Sequence, residues 1–232
     1  DIFWTLTMKN GDTISLKTRL TIEKQEVVTY CPEDTPMETT EELNTLLASI
    51  EKEVSSDTPV YLYLPAVTYD GEITFGDHVW QIFGSTDGDA TTTFTGTVNV
   101  NGKNGNYGIM SGIRFEGSSG TGLNANCFVL LSGCSFSGWG IAAIAQDGAW
   151  VSASDCSFTN NGTALNFNTS MAYGSNPSYL NNTFTGNGVA VSIDRLPGSE
   201  VLNFAGSIFS ENGTDIENKA GHPVDTANAV FE

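Results

Sequence analysis

Basic residues are scarce in this chain. Lysine and arginine together account for nine of its 232 residues, against 27 aspartates and glutamates, and the formal net charge at pH 7 is −18. A surface with this excess of negative charge repels phosphate groups, which argues against nucleic acid and anionic membranes as partners. Solubility is one consequence of the acidic excess. A cation site is another interpretation, and it requires carboxylates that cluster in space.

Long apolar runs are also lacking. No stretch reaches the roughly 18 consecutive apolar residues that a membrane-spanning helix needs, so we expect no membrane insertion. The first residue is Asp1 rather than a methionine, and we therefore expect that a signal or anchor segment precedes this sequence.

The central feature of the sequence is a repeat between about residues 111 and 218. Five phenylalanines recur 21 to 26 residues apart, and an Asn-Gly pair follows the last three of them. The phenylalanines are Phe115, Phe136, Phe158, Phe184 and Phe209, and the asparagines are Asn161, Asn187 and Asn212. A period of this length is typical of solenoids. The alternating apolar residues of 189–193 indicate short strands rather than helices.

The repeat predicts how the coils stack. If each unit is one rung of a solenoid, equivalent residues of successive rungs lie about 4.8 Å apart. We therefore expect one internal column of phenylalanine rings and one column of asparagine amides bonded side chain to side chain. The glycine after each asparagine suits a turn with a positive φ angle. One rung cannot bury its own inner face, so both ends of the stack need caps.

Cysteine is rare, and its four positions follow no metal-binding spacing. They are Cys31, Cys127, Cys134 and Cys156. Cys134 and Cys156 each precede a repeat phenylalanine by two residues, which places them on adjacent rungs with parallel Cα–Cβ bonds. The Cβ atoms of a disulfide have to converge, so we expect free thiols in the core.

The first part of the chain predicts a separate β region. Alternating apolar residues on both sides of the Asn10-Gly11 pair indicate an antiparallel hairpin, with a third strand from Ile22 to Tyr30. Eight acidic residues and one lysine follow within residues 31–58. Because of this change in composition, we assign residues 1–38 to a small antiparallel β region and residues 39–232 to the solenoid.

A capping helix is predicted next. Thr39 is a suitable N-cap, and Glu42 stands three residues later, where a capping box requires it. The apolar stripe that follows indicates an amphipathic helix over about residues 40–54. Such a helix before a β-solenoid would cover the open end of the first rung.

The entry to the repeat resembles a known family. A short apolar strand ending at Pro65, the pair Thr68-Tyr69 and the apolar residues Ile73 and Phe75 lead into the phenylalanine repeat. This order is similar to that of pectate-lyase-like proteins over about residues 39–218, although Val67 stands where the family often has glycine. The resemblance implies an all-β, right-handed parallel β-helix with an N-terminal capping helix, preceded here by the hairpin region. It implies no single activity, because lyases, hydrolases, epimerases, adhesins and phage tail proteins share such coils.

Catalytic motifs of such enzymes are missing. A lyase acting on polyuronates needs cationic side chains, and only four basic residues follow residue 60: Lys103, Arg114, Arg195 and Lys219. Polygalacturonase-like hydrolases carry an Asn-Thr-Asp run, an Asp-Asp pair and a Gly-His-Gly, and none of these occurs here. We find no nucleophile–base pair. Arg114 is expected to be a solvated or paired surface residue, and we lean against catalysis.

Cofactors are not expected, with one open alternative. Asp87 and Asp89 flank Gly88, and their carboxylates could bind Ca²⁺. The Asp-Gly-Asp sequence is above all typical of a turn.

A polar outer face is the candidate binding surface. Two strands on adjacent rungs present amide, hydroxyl and carboxylate groups outward, and the loop after the first of them supplies an aromatic ring that can stack on a sugar. The candidate ligand-binding residues are Asn166, Asn168, Tyr173, Ser192, Asp194 and Arg195. Asp194 and Arg195 are adjacent, so a local ion pair between them is the alternative.

These observations lead to three hypotheses about function. The first is a noncatalytic module, extracellular or at the cell surface, that binds a glycan or a surface partner or serves as an adhesin-like scaffold. The alternative is a polysaccharide lyase or glycoside hydrolase with an unrecognised active site. The third is a subunit of a fibre or phage tail.

Overall fold

The computed structural model describes residues 2–18, 26–103, 105–172 and 178–232. In these ranges the chain forms one helix, α1 (Thr40–Glu53), and a succession of short strands. In chain order the strands are β1 (Ile2–Thr7), β2 (Thr13–Thr18), β3 (Val28–Tyr30), β4 (Val60–Tyr63), β5 (Thr68–Tyr69), β6 (Ile73–Phe75), β7 (Trp80–Phe83), β8 (Thr86–Asp87), β9 (Ala90–Thr91), β10 (Thr93–Phe94), β11 (Val98–Val100), β12 (Tyr107–Ser111), β13 (Arg114–Glu116), β14 (Thr121–Ala125), β15 (Phe128–Ser132), β16 (Ser135–Ser137), β17 (Ile141–Gln146), β18 (Trp150–Ser154), β19 (Ser157–Thr159), β20 (Thr163–Asn168), β21 (Thr183–Thr185), β22 (Val189–Arg195), β23 (Leu202–Asn203), β24 (Ile208–Ser210), β25 (Thr214–Asn218), β26 (Val224–Asp225) and β27 (Val230–Phe231).

Three long parallel sheets make up the body of the molecule. The eight-stranded sheet has the order β5-β10-β13-β16-β19-β21-β24-β27, the seven-stranded sheet β6-β11-β14-β17-β20-β22-β25, and the six-stranded sheet β3-β4-β7-β12-β15-β18. As far as β18, successive coils add one strand to each sheet in turn; beyond it, β23 and β26 pair separately from the six-stranded sheet. The chain therefore winds as a parallel β-solenoid of about eight turns. The predicted all-β parallel β-helix is confirmed.

The predicted phenylalanine column lies inside the eight-stranded sheet. Phe115 and Phe136 are register partners, and their ring centroids are 4.3 Å apart. The centroids of Phe136 and Phe158 are 5.1 Å apart, with the rings stacked. The column also includes Tyr69, Phe94, Phe184, Phe209 and Phe231. Each stacked pair adds about 0.5–1.5 kcal/mol to the burial of the rings, so the repeat stabilises the stack along its whole length.

The predicted asparagine column forms one corner of the coil. The Asn161 side-chain N–H group donates to Asn187 Oδ1 at 3.0 Å, and Asn187 donates to Asn212 Oδ1 at 3.0 Å. The same amides donate to carbonyl oxygens of the preceding coil, Asn161 to Phe136 and Asn187 to Phe158. The column is therefore bonded both along itself and to the backbone.

The glycines after these asparagines have a different role from the predicted one. The positive φ angles at this corner belong to the residue before each asparagine: Asn160, Gly186 and Glu211. A Cβ atom on Gly162 would lie 2.5 Å from the carbonyl oxygen of Gly140 on the previous rung, and one on Gly188 would lie 2.6 Å from that of Gly162. Glycine is needed because the backbones approach closely, not because the turn has a positive φ.

Helix α1 begins where the capping box predicts. The Thr39 hydroxyl accepts from the Glu42 N–H group at 3.2 Å, and the Glu42 carboxylate accepts from the Thr39 N–H group at 3.1 Å. The Thr40 hydroxyl and the Asp70 carboxylate, beside β5, are 2.9 Å apart. The buried apolar residues of the helix are Leu43, Leu47 and Ile50. The helix therefore packs at the first strands of the solenoid, as expected of a cap.

The N-terminal residues form a hairpin and a strand of the solenoid. Strands β1 and β2 are antiparallel, as predicted. The predicted third antiparallel strand is wrong, because β3 pairs with β4 in parallel and extends the six-stranded sheet. The division at residue 38 stays a prediction.

Candidate functional site

Five of the predicted binding residues lie on the seven-stranded sheet, where Asn166 and Ser192 are buried and Asn168, Asp194 and Arg195 are exposed. Strand β20 carries Asn166 and Asn168, and β22 carries Ser192, Asp194 and Arg195. The structure brings two of these side chains together, because the Asn166 side-chain N–H group donates to Asp194 Oδ2 at 2.8 Å. Tyr173 lies outside the described residues.

Charged groups neutralise one another at this end of the sheet. The Lys219 ammonium is 2.9 Å from both Asp194 Oδ1 and Glu217 Oε2. The hydrogen bond from Lys219, followed by that from Asn166, lowers the pKa of Asp194. Ser192 donates to Glu217 at 3.5 Å. These side chains are occupied with each other.

The predicted local pair between Asp194 and Arg195 does not form. The register of β20 and β22 shifts between Phe167 and Asn168, which pairs Asn168 with Arg195. The Arg195 guanidinium instead donates to Asp147 Oδ1 at 2.6 Å and to the Asn168 carbonyl at 3.4 Å. Both charges of the predicted pair are satisfied by residues from other coils.

The sequence interpretation missed the other half of the same face. Strands β11 and β14 present Asn99 and Asn124 outward at register positions, and Asn124 donates to Asn99 Oδ1 at 3.0 Å. One step further along the chain, Asn126 donates to Asn101 Oδ1 at 2.9 Å. Asn99 also donates to Glu72 and Thr74, and Asn124 accepts from Gln146. A carboxamide has two N–H donors and two acceptor lone pairs, so the second pair, Asn101 and Asn126, retains more bonding capacity toward a ligand.

The second amide pair lies in a groove at the corner between the seven- and six-stranded sheets. One end of this corner groove encloses about 710 Å³ beside helix α1, and the other encloses about 440 Å³. Both ends share Gly102, Lys103 and Asn126. The helix end is also lined by Asn44, Glu51, Thr74, Asp77 and Asn101. The groove therefore collects residues from α1 and from three successive coils.

Aromatic side chains line the other end of the corner groove. Tyr107 and Phe128 are register partners at the start of β12 and β15, and both are half-buried. Asn106 and Met171 complete the aromatic end. Ring faces and carboxamides next to each other are the combination that binds sugars, because a sugar has apolar faces and hydroxyl edges.

Hydrogen bonds hold the loops that form the groove. Asp77 Oδ1 accepts from the Lys103 backbone N–H group at 2.6 Å and from the Asn106 side chain at 3.1 Å. Cys127 lines the aromatic end and is almost fully buried. Burial, followed by the negative charge of Asp77, raises the pKa of Cys127 to about 11, so this residue is a neutral wall of the groove rather than a nucleophile.

A faint pattern in the sequence could have indicated the missed amides. Asparagine stands between two apolar residues in β11, β14 and β20, as Val-Asn-Val, Leu-Asn-Ala and Leu-Asn-Phe. This alternation places all three asparagines outward on one sheet. The groove itself depends on where α1 lies, which the strand pattern does not encode.

The other residues considered in the sequence, Asp87, Asp89 and Arg114, lie at the surface. Asp87 and Asp89 are exposed in the hairpin of β8 and β9, with Gly88 at φ 57° between them. Within the described ranges, no group of three or more His, Cys, Asp or Glu side chains could hold a metal ion. Arg114 is 3.4 Å from Glu116 on the surface.

The described part of the chain contains no helix that is long and apolar enough to span a membrane.

The thiols of the core are free. Cys127, Cys134 and Cys156 are buried, and Cys31 is half-buried. The hydrogen bond between Cys156 and Cys134, followed by burial, raises the pKa of Cys156. The predicted pair of thiols on adjacent rungs is confirmed.

Comparison of the chain with protein-family models, with curated proteins and with solved structures finds no match.

Proposed function

We propose that this protein is a noncatalytic glycan-binding β-helix module of the pectate-lyase-like kind, which works outside the cell or at its surface. The observation that carries the proposal is the corner groove, where two neighbouring cavities that share Gly102, Lys103 and Asn126 are lined by carboxamides and aromatic rings. Asn101 and Asn126 supply donors and acceptors for sugar hydroxyls, and Tyr107 and Phe128 supply apolar surface for a ring face.

The shape of the groove supports an extended ligand. Its lining comes from consecutive coils, so equivalent side chains recur at the spacing of about 4.8 Å between neighbouring strands. A chain of sugar units can contact several rungs at once, and solenoids commonly bind along such repeated surfaces. The net charge of −18 disfavours polyuronates.

A glycoside hydrolase is the second candidate, because two carboxylates line the helix end of the groove. Glu51 and Asp77 come from α1 and from the turn after β6. Paired carboxylates are the groups that such hydrolases use to protonate the leaving oxygen and to activate water. Cleavage of a bound glycan that is lost in Asp77→Asn would favour this candidate over the noncatalytic one.

Binding to an array of neutral, cationic and acidic polysaccharides tests the proposal. We expect Asn126→Ala and Tyr107→Ala each to weaken binding of a captured glycan about tenfold, because each removes one direct contact. The matched controls are Asn228→Ala and Tyr63→Ala, which make the same changes at exposed residues outside the groove.

Three outcomes distinguish the hypotheses. Weakening by the groove variants alone supports a glycan site in the groove. Equal weakening by the control variants would place the site elsewhere on the surface. Absence of binding to every polysaccharide would contradict the proposal.

A further inference from the structure

The helix end of the corner groove contains a carboxylate that the fold holds in place. Glu51 Oε1 is 3.3 Å from the Nε2 atom of His78, and the His78 side chain is only 2% exposed. The imidazole orients this oxygen from the protein side, while 42% of the Glu51 side chain stays exposed to the groove.

Glycine at position 76 makes room for this carboxylate. A Cβ atom there would overlap Oε1 and the carboxyl carbon of Glu51. The φ angle of Gly76 is not among the positive ones, so the backbone does not require glycine at this position. The room exists for the Glu51 side chain. Glu51 therefore fills the space over Gly76 and lies beside a buried imidazole.

The electrostatics of this end favour a positive group. Glu51 and Asp77 face the cavity together with one cation, Lys103. Asp77 Oδ1 already accepts hydrogen bonds from the Lys103 backbone and from Asn106, so Glu51 is the less occupied of the two carboxylates. Asn44 and Thr74, also on the wall, can bond neighbouring hydroxyl groups.

We infer that the helix end is a subsite for a hexosamine unit with a free amino group, whose ammonium donates a charge-assisted hydrogen bond to Glu51. This inference rests on the proposed function, since it names the sugar class that the same groove prefers. An N-acetylated unit lacks the positive charge, and a uronate unit places a carboxylate against Glu51.

Isothermal titration calorimetry with three oligosaccharide sets of equal length tests the subsite. The sets are β-1,4-linked glucosamine, its N-acetylated counterpart and a galacturonate oligomer. We expect the unmodified protein to bind glucosamine oligomers at least about tenfold more tightly than the N-acetylated ones, as a hydrogen bond between charged groups provides. Glu51→Gln keeps the side-chain shape and removes the charge, and it should abolish this preference.

Two further variants separate the subsite from general charge attraction. Glu53→Gln removes one negative charge from the same helix at an exposed position outside the groove, and it should leave the preference unchanged. Gly76→Ala displaces the Glu51 carboxylate and should reduce the preference as Glu51→Gln does. A reduction by Glu53→Gln as large as that by Glu51→Gln would overturn the subsite.

The outcomes also separate this inference from the proposed function. Equal binding of glucosamine and N-acetylglucosamine oligomers, with loss in Asn126→Ala, would overturn the subsite and keep the glycan groove. Binding of galacturonate alone would overturn the subsite as well. Absence of binding to any glycan would overturn both.

Discussion

Two sets of stacked asparagines occur in this solenoid. The buried ladder consists of Asn161, Asn187 and Asn212 at one corner, and the exposed ladder consists of Asn101 and Asn126 at the corner between the seven- and six-stranded sheets. In the buried ladder, Asn187 Oδ1 accepts two hydrogen bonds from Asn161 and its N–H groups donate to Asn212 and to the Phe158 carbonyl. All bonding positions of this amide are used. In the exposed ladder, one N–H group of the Asn126 amide donates to Asn101 Oδ1.

The difference shows how one residue type serves two purposes in a repeat. A saturated amide in a dry corner fixes the stack and has nothing left for a ligand. A partly bonded amide beside a groove is oriented by its neighbour and keeps donors and acceptors, which we propose bind a sugar.

Removing an amide from the buried ladder should have the largest effect. Asn187→Ala leaves the Asn161 backbone N–H group buried without its acceptor, at about 1–3 kcal/mol, and also removes the hydrogen bonds to the Asn161 side chain, to Asn212 and to the Phe158 carbonyl. We expect the free energy of unfolding to fall by about 3–5 kcal/mol, measured by urea denaturation. A loss below about 1 kcal/mol would show that the buried ladder is not a stabilising element.

The same substitution in the exposed ladder should leave stability almost unchanged. Asn126→Ala removes one hydrogen bond at the surface, and surface changes of this kind stay within about 0.5 kcal/mol. Urea denaturation of the two alanine variants in parallel measures the contrast. Equal losses in both would remove the distinction between the ladders.

Thiol alkylation tests whether Cys127, in the wall of the corner groove, is shielded from solvent. Burial raises the pKa of Cys127 to about 11, whereas an unfolded cysteine titrates near 8.5. At pH 8 we therefore expect iodoacetamide to modify Cys127 at least about a hundredfold more slowly in the folded protein than in urea. Mass spectrometry of digested samples gives both rates, and comparable rates would show that this wall is open to solvent.

The Asp194–Lys219 pair should have the smallest effect, confined to one pH range. The folded state lowers the pKa of Asp194, so its contribution is present above the unfolded value of about 3.9 and is lost as pH falls through the lower folded value. Because the pair is exposed, the contribution is small. Asp194→Asn should lower the thermal midpoint slightly at pH 7 and not at pH 2.5. A difference that grows on acidification would contradict this sign.

The sequence predicts the stack because the stack is periodic. Phe136, Phe158 and Phe184 are spaced by one coil each, and identical residues on successive rungs have to meet. The capping helix follows from equally local chemistry at Thr39 and Glu42. These features need no knowledge of distant contacts.

The groove could not be predicted in the same way. It requires α1 to lie against the turns after β6, β11 and β14, which brings Glu51, Asp77 and Asn101 together from three elements. The ion-pair partners of Asp194 and Arg195 depend on a shift in the register of β20 and β22. The residue pattern does not predict this shift. The periodic residues therefore predict the coils, whereas the groove depends on how the turns and α1 lie relative to one another.

The central claim is that ligands bind at the corner groove and not at the saturated ladder. Titration of isotope-labelled protein with a glycan captured in the array, followed by amide chemical shifts, tests it most directly. The account predicts shifts that saturate together at Asn101, Asn126, Tyr107 and Phe128, with little change at Asn161 and Asn187. Saturable shifts on the eight-stranded sheet, or none at the groove residues, would contradict it.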